Sequence, residues 1–350
     1  MSRFEGFNAE NKLRIPLSAY AAQIIENDCV SFSKKKTTLI NAIILNYYHI
    51  AECSISLRLI DYKEELSHCF SAVERKNNDS IINKIVLGKG KELKNKYAKR
   101  YLADVNWQIT LNKKVKELLT MDPHSQEEEY YGDRPGHYVR ALIEEYARLP
   151  FYQREEVVFK PILDVVKDAI NKEYVISLTN IKGNTVTLKP YRIDSDPMSM
   201  YHYVIGYSVV PVSALSQTEA KYNPQVISIR LSRLTDIETM YYNSGKLSDK
   251  EISQIEQELS EKGVQFVSGT TAPIKIWLSD FGIKKFNTQL HLRPIGMPDK
   301  SDEHIYNFEC TETQILYYFI GFGRDVKILS PISLAEKFTK TYTEGLNNYK

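Results

Sequence analysis

Lys12 to Ser18 (KLRIPLS) alternates polar and apolar residues and predicts a short strand with Leu13, Ile15 and Leu17 on its buried face. The next two segments read as helices. Ser18 can cap one helix carrying Ile24 and Ile25, and a second, entered through Lys34 to Thr38, carries Leu39, Ile40, Ile43, Ile44 and Tyr47 on one stripe. A lone strand leaves its backbone hydrogen bonds unmade and its apolar face bare, so such a unit cannot stand by itself. The chain must bring a second strand to the first.

Asn106 to Asn112 (NWQITLN) supplies it. This segment repeats the first strand at an offset of 94 residues, with Trp107, Ile109 and Leu111 in the places of Leu13, Ile15 and Leu17. Val115, Leu118 and Leu119 then keep the register of Ala21, Ile24 and Ile25. His137 to Leu149 matches Thr38 to Ile50 at an offset of 99, and the five extra residues fit in the acidic loop around Gln126 to Glu129. The pattern is a duplication closed within one polypeptide.

Strand, helix, helix of these lengths resembles a ribbon-helix-helix protomer, so residues 1–150 are expected to form a tandem ribbon-helix-helix domain with a basic helical insertion. In that family the outward residues of the paired ribbon touch nucleic acid, and the second helices aim their N-termini at phosphates. The resemblance implies these roles for Lys12, Arg14, Gln108 and Thr110 on the ribbon, for Lys35, Lys36 and Thr37 near one helix start, and for Arg134 and His137 near the other. Pro16 takes one outward slot and the two halves differ, which suits a palindromic operator poorly. The same polar residues would also serve simply to solvate the ribbon.

Between the repeats, Ile60 to Val73 reads as helical, and so does the stretch Lys84 to Arg100. From Asp79 to Tyr101 there are seven basic residues (Lys84, Lys89, Lys91, Lys94, Lys96, Lys99 and Arg100) against two acids, with Tyr97 and Tyr101 interleaved. Lys91 and Lys94 lead a basic helix face that is either a solvated surface or a nucleic-acid contact. The whole chain, at 46 basic and 44 acidic residues, is nearly neutral, so only this local excess carries information.

Further along, Tyr201 to Tyr207 (YHYVIGY), bounded by Pro197 and Pro211, is dense in aromatic and β-branched residues and reads as a buried strand. Ile227 to Leu234 (ISIRLSRL) reads as another. Its alternation sets Ile227, Ile229, Leu231 and Arg233 on one face and Ser228, Arg230, Ser232 and Leu234 on the other. An arginine among aliphatics requires an anion or a carboxylate. Upstream lie a helix with Ile162, Val165, Val166, Ala169 and Ile170 on one stripe, and strands at Tyr174 to Leu178 and Thr185 to Pro190.

These strands resemble the WYL domain, a small Sm-like β-barrel of prokaryotic regulators. The family's Trp-Tyr-Leu strand stands here as His202-Tyr203-Val204, and its Phe-Arg-Leu-Asp-Arg-Ile strand as Ile229-Arg230-Leu231-Ser232-Arg233-Leu234; Thr187 to Tyr191 matches its proline-ended strand. WYL domains are linked to single-stranded nucleic acids. The resemblance therefore implies a binding surface of Tyr203, Arg230 and Arg233, with His202, Tyr191 and Arg192 beside it. Three apart on a regular strand, the two arginines face oppositely. A bulge or the curl of a barrel would bring both to one rim; otherwise Arg233 pairs with an acid such as Asp236.

Ser213 to Pro224 reads as a polar loop, and Ser248 to Glu251 is a capping box that opens a linker helix ending at Gly263. Thereafter the predicted order is strand (Ile274 to Leu278), helix (Phe281 to Leu290), strands (His291 to Ile295 and Ile305 to Cys310), helix (from Thr311), strand (Val326 to Leu329) and helix (Ile332 to Tyr349). That is a ferredoxin-like plait with an added helix. It resembles the C-terminal extension of WYL proteins, whose ending is matched by Gly321 to Pro331 (GFGRDVKILSP); the extension commonly dimerises, so a homodimer is implied. The expected class is α+β, with domains at 1–150, 151–245 (WYL), 246–272 (linker helix) and 273–350.

No apolar run approaches the roughly 18 residues of a membrane span, and the N-terminal residues lack a signal-peptide core, so a cytoplasmic protein is expected. Four scattered cysteines and seven histidines form no ligand-spaced set, and the phosphate-loop, dinucleotide, zinc-protease and serine-hydrolase motifs are all missing. No catalytic residue, metal or cofactor is expected. A ribbon-helix-helix module joined to WYL and its extension looks like the WYL-domain accessory proteins encoded beside type VI-D CRISPR systems. That resemblance implies a dimeric, single-stranded RNA-binding protein that stimulates or otherwise modulates an RNA-targeting effector nuclease. A ligand-responsive transcriptional regulator on duplex DNA is the rival reading, and single-stranded DNA is a further candidate ligand.

Overall fold

The computed structural model describes residues 12–69, 72–98, 103–121, 127–132, 134–197, 199–209, 225–269 and 271–349. The predicted polar loop at 213–224, and Lys99, Arg100 and Tyr101 of the basic stretch, lie outside them. The chain is mixed α and β and divides into two compact units, 1–163 and 164–350. No helix among the described residues is long and apolar enough to cross a membrane.

In the first unit the elements run β1 (Lys12–Leu17), α1 (Ala19–Ser31), α2 (Lys36–Tyr47), α3 (Ile55–His68), α4 (Ala72–Tyr97), β2 (Val105–Thr110), α5 (Lys113–Met121), α6 (Glu128–Tyr131), α7 (Pro135–Arg148) and α8 (Phe151–Val158). The two strands pair antiparallel, Leu13 opposite Ile109 and Ile15 opposite Trp107. Their apolar faces close over α2 and α7, where Ile40, Ile43, Leu142 and Ile143 are fully buried. The duplication is visible in the caps: Ser18 Oγ accepts from Ala21 N–H and Asn112 Oδ1 from Val115 N–H, at 3.1 and 2.8 Å. Helix α8 packs in this unit, where Arg154 is bonded to the buried Asp28 of α1. Helix α9 (Lys160–Asn171) runs across the division.

The second unit holds two antiparallel sheets. The first contains β3 (Tyr174–Asn180), β4 (Thr185–Ser195), β5 (His202–Ser208), β6 (Val226–Arg230) and β7 (Leu234–Ser244), in the order β6-β5-β4-β3-β7. The expected closed barrel is not formed among the described residues: β6 and β7 are consecutive, yet they are the two edges of an open sheet. The reason is local. The predicted strand Ile227 to Leu234 stops at Arg230, and a 3-10 turn, Leu231–Arg233, carries the chain away before β7 begins. At the β6 edge, Ser268 takes the backbone groups a neighbouring strand would use: Ser228 N–H donates to its Oγ at 2.6 Å, and that hydroxyl donates to Ser228 O at 2.8 Å.

Helix α10 (Asp249–Lys262) opens on the Ser248/Glu251 capping box and ends at Gly263, whose φ is 75°. Beyond it come β8 (Thr271–Leu278), α11 (Asp280–Thr288), β9 (Gly296–Pro298), β10 (Ile305–Thr311), α12 (Glu312–Phe319), β11 (Val326–Ser330) and α13 (Ile332–Asn347), with sheet order β11-β8-β10-β9. Phe286, Phe308, Phe319 and Phe322 form its core. The strand expected at His291 to Ile295 falls instead at Gly296–Pro298. Leu292 sits at a left-handed φ of 55° and Pro294 has no N–H to donate, so this stretch cannot extend a ladder.

Candidate nucleic-acid interfaces

Strand β5 places Tyr203 directly opposite Arg230 on β6. Tyr201, two residues earlier and so on the same side, lies under the arginine, whose guanidinium carbon is 3.9 Å from the ring centre. The Arg230 Nε is buried and has no hydrogen-bond partner among the described residues. Arg233 comes one 3-10 turn later. The strand alternation that would set the two arginines on opposite faces stops at Arg230, the extended residue before that turn. Burial pushes the Tyr203 hydroxyl pKa up, and the positive fields of Arg230 and Arg233 oppose that shift.

The alternative pairing of Arg233 with Asp236 is not made: Arg233 is exposed, and Asp236 Oδ1 accepts instead from the Ile237 N–H at 2.9 Å. Arg192 is engaged elsewhere. Its Nη1 lies 2.7 Å from Glu256 of α10 and its Nη2 3.3 Å from Asp194. Helix α10 also takes Lys189 through Glu251, at 2.9 Å, and the Tyr191 hydroxyl through Glu256, at 2.7 Å. The β4 cations are thereby neutralised, whereas Arg230 and Arg233, where β6 ends, have no carboxylate partner among the described residues. His202 is buried on the face of β5 away from Tyr203. Sequence reasoning missed Tyr201; the period-two spacing of Tyr201 and Tyr203 was the signal that could have found it.

On the ribbon, Lys12 stands opposite Thr110 and Arg14 opposite Gln108, on the side away from the core. Arg14, Gln108 and Thr110 are exposed and Lys12 is half-buried. Lys35 is exposed at the start of α2, whereas Lys36 bonds Glu26 at 3.1 Å and lies 3.9 Å from the Trp107 ring centre, which ties it to the fold. Neither Lys35 before α2 nor Arg134 before α7 caps its helix with its side chain; at α7, Pro135 has no N–H to offer and the His137 N–H is bonded to Arg134 O at 3.0 Å, so the open helix start is that of α2. Lys91 and Lys94 are exposed on α4. Among the described residues no group of three or more His, Cys, Asp or Glu is placed to hold a metal ion, and Cys29, Cys53, Cys69 and Cys310 are free thiols.

Fold and geometry together define a two-unit α+β protein with a paired ribbon in one unit and an arginine–tyrosine cluster at a sheet edge in the other. Its fold is similar to that of a protein whose solved structure is described as the crystal structure of a CRISPR Cas-related protein: TM-score 0.64, 23% identity, 97% of this chain and 94% of that one covered. A far weaker likeness is to the proteasome accessory factor B/C (PafBC) of Arthrobacter aurescens, with a TM-score of 0.30 and 14% identity over 67% of this chain and 36% of that one. No protein-family model and no curated protein matches the sequence.

Proposed function

We propose that this chain is a non-enzymatic, nucleic-acid-binding regulator, a WYL-type accessory protein that binds single-stranded RNA and modulates an RNA-targeting CRISPR effector nuclease. The observation that carries this reading is Arg230 laid over Tyr201, with Arg233 near enough for the positive fields of both to reach the Tyr203 hydroxyl and no carboxylate on either guanidinium among the described residues. Two cations beside aromatic faces suit a strand that offers phosphates and unstacked bases together, where each stacked base adds about 1–3 kcal/mol. The fold likeness to a CRISPR Cas-related protein supports the setting. The C-terminal segment from β8 onward is the proposed homodimer contact.

The second reading, a regulator of duplex DNA, is favoured by the exposed Arg14–Gln108 pair and the uncapped start of α2. One experiment separates them: binding of matched single-stranded RNA, single-stranded DNA and duplex DNA across a salt series, for the wild type and an Arg230→Ala/Arg233→Ala variant. The first reading expects RNA to bind most tightly, with a log–log salt slope of about 0.7 per phosphate contact that shrinks in the variant. Preferred binding of duplex DNA, unchanged in the variant, would replace it with the second.

A further inference from the structure

The first unit contains a cavity of about 510 Å³, lined by α7 together with residues of α1, α6 and the end of α4. This is the size of an ordinary small-molecule site. The internal duplication shows what is special about it. On α7, His137, Arg140, Glu144 and Arg148 lie on one stripe facing the cavity; their counterparts at the offset of 99 are Thr38, Asn41 and Leu45 on α2 and His49 just past its end. Arg140 is buried 3.9 Å from Glu144 and so belongs to the fold, which leaves the exposed Arg148 as the cation this stripe offers to the cavity. In the other half Asn41 does the structural work alone, donating to Thr110 O at 3.0 Å and accepting from Asn112 N–H at 2.8 Å.

The acids of the cavity are turned toward protein donors. Glu144 accepts from Ser18 N–H and Oγ at 2.7 and 2.8 Å, and Glu145 accepts from the Tyr47 hydroxyl and the N–H groups of Glu52 and Cys53. Arg148, by contrast, is exposed and has no carboxylate partner among the described residues. Two tyrosines present anchored rings: Tyr20, 56% exposed, donates its hydroxyl to Ala147 O at 3.1 Å, and the Tyr97 hydroxyl donates to Glu52. Pinned aromatic faces beside a cation form a receptor for a flat base bearing a phosphate.

We propose that this cavity binds a nucleotide, its base stacked on Tyr20 and its phosphate held by Arg148 with His137. The ligand is a free nucleoside monophosphate or the phosphorylated end of an RNA chain; the site is separate from the Arg230–Tyr201 cluster and does not depend on the accessory-protein reading.

The test uses the full chain, with calorimetric titration and thermal shifts for AMP, adenosine, inorganic phosphate and a trinucleotide with and without a 5′-phosphate. AMP or the phosphorylated trinucleotide should bind about tenfold or more tightly than its unphosphorylated counterpart and than phosphate alone. Arg148→Ala should abolish that preference, Tyr20→Ala should weaken the base-bearing ligands, and Tyr20→Phe should keep binding; both sites are on the surface, so circular dichroism should report an unchanged fold. AMP binding identifies a free nucleotide, and binding of the phosphorylated trinucleotide alone identifies a chain end. The proposal is overturned if neither binds at millimolar concentration, if Arg148→Ala and Tyr20→Ala bind as the wild type does, or if Arg230→Ala/Arg233→Ala removes the binding.

Discussion

Asp28 and Arg154 meet inside the first unit as a two-pronged ion pair: Arg154 donates from Nε to Oδ2 at 2.8 Å and from Nη2 to Oδ1 at 3.0 Å. Tyr146 donates to the same Oδ2 at 2.7 Å, and Arg154 Nη1 reaches Leu149 O, also at 2.7 Å. Asp28 is 1% exposed, so the guanidinium has no water to fall back on if the acid is lost. Asp28→Ala is expected to lower the unfolding free energy of this unit by about 3–5 kcal/mol, read by urea titration. Adding Arg154→Met should recover part of the loss, because most of it is the burial of an unpaired charge. A single-variant cost below about 1 kcal/mol, the level of an exposed pair, would show the bridge to be solvated.

Glu127 makes the first unit sensitive to pH. It is fully buried, accepts the Ser56 N–H at 2.9 Å at the start of α3, and has no partner for Oε2 among the described residues. Burial pushes its carboxyl pKa up to about 8 from an ordinary 4.5, against the pull of the Ser56 and Ile55 N–H groups. Between those values the folded chain holds a proton that the unfolded chain has lost. The contribution to stability is therefore complete below pH 4.5 and declines as pH rises to about 8, by at most ~1.4 kcal/mol per pH unit. Glu127→Gln keeps an acceptor for Ser56 and should remove the decline; parallel stability–pH curves for the two proteins would rule this out.

Tyr201 separates stacking from mere packing at the β6 edge. Tyr201→Phe keeps a ring under Arg230 and should bind single-stranded RNA as the wild type does, while Tyr201→Leu should lose about 1–3 kcal/mol of binding. Equal losses in the two variants would mean that the hydroxyl, not the ring face, makes the contact.

Gly136 sets how closely α7 approaches the ribbon. A Cβ there would lie 2.3 Å from Arg14 O, so Gly136→Ala should cost about 1–3 kcal/mol as α7 is displaced from β1. Gly88, within α4, has nothing within 4 Å of the same added atom. Gly88→Ala should stabilise that helix by about 1 kcal/mol. Thermal melts of the two variants moving in the same direction would contradict the geometry.

The ribbon was legible because a strand's demand for a partner is strict and its period is two: Leu13, Ile15 and Leu17 require a matching apolar set, and the repeat at Trp107, Ile109 and Leu111 points to the second strand, although in the pairing Ile109, Trp107 and Val105 stand opposite them and Leu111 lies past the strand's end. The end of β6 was not legible. Ile227 to Leu234 alternates well enough for an unbroken strand, and nothing in that alternation reveals that Ser268, 40 residues on, occupies the outer edge at Ser228.

From sequence alone came the α+β class, the paired ribbon, the capped helices and the residue types of the arginine–tyrosine cluster, since these arise from local periodicity and side-chain chemistry. Only the tertiary structure decided which charges are spoken for: Arg192 by Glu256 and Asp194, Lys36 by Glu26 and Trp107, Glu144 by Ser18, leaving Arg230, Arg233 and Arg148 without carboxylates among the described residues. The physical reason is range. Periodicity acts over a few residues along the chain, whereas an ion pair is settled by a few ångströms in space, between residues whose separation in sequence carries no mark of the contact.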